Sequence, residues 1–293
     1  MKLQTIVDIA PSPWKIGYED KILMVGSCFS DEIGGQMTQR NLHVTCNPFG
    51  TLYNPLSIAQ AINYKFPITN DQLSLVEYDG LWHSMAHHGS FSRPTREETE
   101  QAVRASIDTM QQALQEATVI IVTFGTAWVY EMNGEIVGNC HKLPADTFTR
   151  RRLSVDEIVA AWQPILAQYH DKHWLFTVSP IRHSKDGLHE NQLSKATLLM
   201  AIERLTAEGD LTVKRSNSEA VQQAKPVYFP SYEIVLDELR DYRFYADDLV
   251  HPSSLAVNYI WERFIDAFCT PQTRNEMTIQ WKRWKQSQHR PLH

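Results

Sequence analysis

Ile22, Leu23, Met24 and Val25 form a short apolar run that stops at Gly26, and Ser27, Cys28 and a helical pattern follow at once. A run of that length, bounded by glycine, reads as a strand buried on both faces, as in a parallel sheet. Gly26 allows the sharp turn that a Cβ would resist. Ser27 or Cys28 would then stand at the C-terminal end of a strand and the N-terminus of a helix. Open α/β sheets bind ligands there, and the helix dipole there favours negative charge on a thiol.

The rest of the chain repeats the strand-then-helix rhythm. Strands are expected near 21–26, 42–46, 118–124, 173–178 and 227–229, and helices near 29–40, 55–64, 96–116, 155–169, 191–208, 231–241, 254–268 and 273–287. Ser154 is a good helix N-cap and Pro55 a favoured first-turn residue. Such alternation implies a mostly parallel sheet covered on both faces, with right-handed crossovers. The expected class is α/β: a flavodoxin-like three-layer sandwich with a five-stranded parallel sheet in the order 2-1-3-4-5. Two excursions interrupt it, 66–94 and 128–150, the second carrying an Asn133-Gly134 hairpin signal. Pro11, Pro13 and Gly17 make 1–20 an irregular arm, and 273–293 a C-terminal helix packed back through Trp281 and Trp284. With no repeat and no linker, the 293 residues read as a single domain.

Composition narrows the partners. Hydrophobic residues are 43% and charged residues 21%, ordinary for a globular protein, and the formal net charge of -6 argues against nucleic acid. Residues 1–17 have no apolar signal core and no stretch is long enough to span a membrane, so a cytoplasmic location is expected. Cys28, Cys46, Cys140 and Cys269 have neither zinc-ribbon nor CxxC spacing, and the histidines lack a metal-binding helical spacing. Neither a metal nor a cofactor is expected, and the oligomeric state is left open.

Asp248-Leu249-Val250-His251 is the second informative motif. A carboxylate that accepts from one imidazole nitrogen leaves the other free to act as base, which a nucleophile needs. The fold expectation gathers Cys28, Asp248 and His251 at one sheet edge with Asn47, Gly50, Gly125, Thr126, Arg182 and His183.

Gly26-Ser27-Cys28-Phe29 resembles the signature of the GSCFA family, which is similar to the SGNH/GDSL hydrolases. Asn47-Pro48-Phe49-Gly50-Thr51, Gly125-Thr126-Ala127-Trp128, Ser179-Pro180-Ile181-Arg182-His183 and Asp248 with His251-Pro252-Ser253 extend that resemblance over roughly 20–268. It implies an SGNH-hydrolase-like fold and an esterase or acyltransferase acting on a small-molecule, glycan or lipid acyl ester. Cys28 falls in the nucleophile position, with Ser27 as the other candidate; His251 is the base and Asp248 its orienter. Gly50 resembles the glycine that donates to the oxyanion after the second strand. Ala127 stands where the family pattern of SGNH enzymes has an oxyanion asparagine, a loss that costs such enzymes about 10²–10³ in rate. Asn139, His87 or His88 from the excursions could fill in, and Arg182 could clamp an anionic substrate group or pair with Asp186. The excursions, rich in aromatic residues, are expected to wall or cover the pocket. The alternative function is a non-catalytic binding protein that kept the crevice.

Overall fold

The computed structural model describes residues 4–64, 73–207 and 225–288. The first three residues of the arm, the start of the first excursion at 66–72, position 208 at the expected helix end and the tail at 289–293 lie outside the described residues.

In chain order, an irregular arm leads to β1 (Lys21–Gly26), α1 (Cys28–Thr38), β2 (His43–Cys46) and α2 (Pro55–Ile62). The first excursion holds β3 (Leu75–Tyr78) and β4 (Leu81–Ser84), and α3 (Arg96–Glu116) and β5 (Val119–Phe124) follow. The second holds β6 (Trp128–Met132), β7 (Glu135–Val137) and β8 (Thr149–Arg152). Then come α4 (Val155–Gln168), β9 (His173–Val178), α5 (Leu188–Ala207), β10 (Val227–Phe229), a single turn α6 (Ser231–Glu233), α7 (Ser254–Phe268) and α8 (Pro271–Gln288).

The main sheet runs β2-β1-β5-β9-β10, every pair parallel. Numbered among themselves these strands stand in the expected order 2-1-3-4-5, and helices cover both faces. Period-two alternation sorts the strand residues between two cores. Leu23, Val25, Ile120, Val122, Trp174 and Phe176 pack with residues of α2, α3, α4 and α5. Ile22, Met24, Ile121, Leu175 and Phe229 pack with α1 and α7. Capping boxes start α3 (Thr95 with Glu98) and α4 (Ser154 with Glu157), so two of the longer helices announce themselves locally. The arm is tied down by Ile16, which bridges Cys269, and α8 returns through Arg40, sandwiched between Trp261 and Trp281 at 4.9 and 4.3 Å.

Two expectations change. The helix expected over 231–241 is a single turn followed by a π turn, Ile234–Glu238. The Ser231 hydroxyl is held by the Val178 carbonyl and Thr177, and the wider turn lets Ile234, Val235 and Leu239 all reach the core. The second excursion is a three-stranded antiparallel sheet, β7-β6-β8, that extends past 150 to Arg152. Its Asn133-Gly134 turn has the two positive φ angles, 54° and 83°, of a tight hairpin. Among the described residues no helix is long and apolar enough to cross a membrane.

Candidate functional site

β1 ends where the chain must turn against its neighbour. At Gly26 φ is +142°, and a Cβ there would overlap the Thr123 carbonyl of β5. Asn47, after β2, accepts from the Gly26 N–H with its Oδ1 at 2.8 Å and donates through Nδ2 to Asp31 at 2.7 Å. Thr51 donates to the other Asp31 oxygen at 3.3 Å. Asp31, on the first turn of α1, thus fastens the turn after β2 to the helix that begins with Cys28.

Cys28 is the first residue of α1, half-buried, with its Sγ 3.9 Å from His251 Nε2. His251 Nδ1 lies 2.6 Å from Asp248 Oδ2, and the other carboxylate oxygen accepts the Val250 and His251 backbone N–H groups at 2.9 Å each. Those hydrogen bonds hold the Asp248 carboxyl down at about 2, so it is an anion throughout the physiological range. The loop is braced from both sides. Arg182 donates its backbone N–H to the Val250 carbonyl and its guanidinium to the Leu249 carbonyl, both at 3.1 Å. Ala246 N–H donates to the His251 carbonyl at 2.8 Å, and Ser253 caps α7 immediately afterwards.

Burial raises the Cys28 thiol above its ordinary value, and Asp31 and Glu32 push the same way. The N–H groups of Cys28 and Phe29 oppose this by pointing at the sulfur, but the net shift is upward. Burial thus works against the thiolate, and the helix N-terminus alone does not offset it.

Other expected site residues have different occupations. Ser27 is fully buried, its Cβ side against Gly125, and among the described residues its hydroxyl has no partner; nothing of it faces solvent. Gly50 has φ +73° in close contact with His88, and its N–H donates to the Asn47 carbonyl at 2.7 Å. The Gly125 and Thr126 N–H groups both donate to the Tyr53 carbonyl, at 2.8 and 2.9 Å. The Gly50 N–H is thus spent within its own turn, and the Gly125 and Thr126 N–H groups on the distant Tyr53 carbonyl. Asn139 accepts from the His141 N–H inside the second excursion. His88 Nδ1 accepts from the Ser90 N–H and caps a short turn. His87 is fully buried, stacked on Phe49 at 4.1 Å, with ring nitrogens 2.8 Å from the Ser84 and Ser106 hydroxyls. Burial drops it to about 3, so it is a neutral packing residue and not a pocket wall. The excursions meet each other, Gly138 N–H donating to the Met85 carbonyl, and the first rests on the turn after β2 through His88 N–H to Phe49. Asp186 pairs with Arg150, which leaves the Arg182 guanidinium to the Asp248 loop.

His183 sits beside Tyr53, at 6.2 Å between rings, with its backbone N–H on Asn191 and its Nε2 buried without a partner among the described residues. Burial and then Lys195 lower it to about 4. Lys195 itself escaped the sequence reading. It is wholly buried, and its Nζ donates to the Gly125 carbonyl at 2.6 Å and the Ser179 carbonyl at 2.7 Å, tying together the ends of β5 and β9. Burial lowers its ammonium to about 7. Lys195 shares one helical face with Asn191, Ser194, Leu198 and Ile202, and the structure buries that face, although three of those five residues are polar and no apolar stripe marks it in the sequence.

A sequence model of the GSCFA family matches residues 21–264. No curated protein and no solved structure matches the chain. The match takes in β1 through most of α7, with Cys28, Asp248 and His251 inside it, and the chain belongs to the GSCFA family.

Proposed function

We propose that this GSCFA-family chain is an SGNH-like acyl-ester hydrolase or acyltransferase, with Cys28 as nucleophile, His251 as general base and acid, and Asp248 as its orienter. The substrate class is an acyl ester of a small molecule, a carbohydrate or a lipid. One observation carries the reading: a sulfur and a carboxylate on the two nitrogens of one imidazole, at 3.9 and 2.6 Å, at the C-terminal edge of a parallel sheet.

Burial works against a preformed thiolate, so in the proposed first step His251 Nε2 removes the Sγ proton as the sulfur attacks the acyl carbonyl carbon. The carbonyl π electrons move to oxygen, and the Cys28 and Phe29 N–H groups at the N-terminus of α1, which face the sulfur in the resting site, are the donors nearest to that oxyanion. Collapse breaks the ester C–O bond, and the alcohol leaves with the proton that His251 returns. A thioester on Cys28 remains. Water, or an acceptor hydroxyl in a transferase, is then deprotonated by His251 and attacks the thioester, and the released sulfur regains the proton. The 3.9 Å gap closes on substrate binding, as catalytic hydrogen bonds commonly do.

Ala127 in place of the asparagine, with the Gly50 N–H spent on Asn47 and the Gly125 N–H on Tyr53, favours a second reading: a binding protein without turnover. Intact-protein mass spectrometry with a panel of acyl nitrophenyl esters separates the two. An acyl increment mapped to Cys28 supports the enzyme. Absence of any increment across acetyl to long-chain esters, with a normally folded protein, leaves the binding reading.

A further inference from the structure

Beside the His251 loop is a cavity of about 150 Å³. Arg182, Tyr245, Asn191, Tyr232, Val235 and Leu236 are among the residues that line it. Two of them belong to the catalytic architecture: Arg182 is hydrogen-bonded to Leu249 and Val250, and Tyr245 bridges Pro252, next to His251. None of the lining side chains is acidic, so the Arg182 charge has no counter-ion within the cavity wall. Its guanidinium lies 5.4 Å from the Tyr245 ring and spends one donor on a backbone carbonyl, which leaves other N–H groups of its fork unspent by that bond. The remaining wall is largely apolar: Val235 is buried, and Leu236 and Leu188 form an exposed hydrophobic lip. A cavity of about 150 Å³ accommodates a body the size of benzene.

We propose that this cavity is a subsite for a carboxylate-bearing group of the substrate, a short branched or aromatic acid whose apolar body lies against Val235 and Leu236 while Arg182 holds the carboxylate. A guanidinium that lies over an aromatic ring and spends one of its five N–H donors on the Leu249 carbonyl suits a planar two-oxygen anion better than a point charge. The inference rests on the acyl-ester reading in one respect: the bound acid is a part of the molecule whose ester Cys28 attacks.

Binding is measured calorimetrically on Cys28→Ala protein, so that the result does not depend on turnover. The probes are benzoate and 3-methylbutanoate, each against its neutral primary amide. Both carboxylates should bind at least about tenfold more tightly than their amides, since hydrogen bonds to a charged partner are the strong ones. Arg182→Met should remove that preference and Arg182→Lys restore only part of it. Leu236→Trp, which fills the mouth without touching the charge, should abolish binding of both carboxylates with the melting temperature kept. Equal binding of acids and amides, or acid binding unaffected by Leu236→Trp, overturns the subsite. The ester panel on the unsubstituted protein reads the other question separately. Carboxylate binding without an acyl increment on Cys28 keeps the subsite and removes the enzyme; an acyl increment with no carboxylate preference does the reverse.

Discussion

At His251 one ring nitrogen faces the Cys28 sulfur at 3.9 Å and the other a carboxylate at 2.6 Å, whereas at His87 both face serine hydroxyls at 2.8 Å. The first ring is half exposed on a loop; the second is buried under Phe49. Around His87 the neighbours continue in the same manner. His83 meets Ser92 and the Tyr78 carbonyl, and His141 meets the Ser84 carbonyl. A ring with an anion on one side and a proton donor with solvent access on the other can cycle its proton. A ring enclosed by neutral groups is held in its uncharged form and serves to fill space and satisfy hydroxyls. Residue type is shared between the two regions; the partner on the far nitrogen separates them.

The largest expected effect tests the first region. Cys28→Ala should remove all acyl increment from the intact mass, and an increment that persists at another residue would take the nucleophile away from Cys28. Next, Asp248→Asn should keep the fold and reduce turnover by about 10³–10⁴, because the amide stabilises neither the correct tautomer nor the imidazolium. Steady-state kinetics checks this, and a loss under tenfold would mean that His251 does not depend on that carboxylate.

The second region should respond in stability. His87→Ala removes the ring stacked on Phe49 and strands the Ser84 and Ser106 hydroxyls, a loss of about 2–4 kcal/mol. Urea unfolding measures it, and the folded fraction should retain its turnover. A large fall in turnover with unchanged stability would return His87 to the site. The pH response of the same cluster is smaller. His87 and His141 are lowered to about 3 and about 4 when folded, against about 6.5 unfolded. The unfolded chain therefore binds more protons between those values. The contribution of the two rings is complete above about pH 6.5 and is lost as pH falls toward 4, at about 1.4 kcal/mol per pH unit for each ring. Unfolding midpoints at pH 7.5 and pH 5 should show the decline, and His87→Gln should make it shallower. The smallest effect is expected at His88, whose ring caps a surface turn: His88→Ala should shift stability by less than about 0.5 kcal/mol and leave turnover unchanged.

Much of the fold was legible in the chain because its signals are short-range. Apolar runs stopped by Gly26 and Gly125, the Ser154 cap and the Asn133-Gly134 turn depend on a few neighbouring residues, and the alternation of strands and helices implies the parallel sheet, whose order 2-1-3-4-5 is one of the two common ones it allows. Cys28 and the Asp248–His251 pair were legible for the same reason: each is a local motif at a strand end or helix start, and the doubly wound topology brings such ends to one edge. The donors and the buried charges were not legible. The Gly50 N–H is spent within the local Asn47–Gly50 turn, but whether the Gly125 N–H can meet a substrate depends on the Tyr53 carbonyl, far away in sequence, which no spacing rule specifies. Lys195 reads locally as a solvated helix residue, and only the packing of α5 against the ends of β5 and β9 supplies the two carbonyls that keep it buried. By its place in an aromatic-rich excursion His87 reads as a pocket residue, but Ser106 on α3, 19 residues on, takes its second nitrogen. Hydrogen-bond satisfaction and desolvation belong to pairs of distant segments, so they come into existence only when the chain has closed on itself.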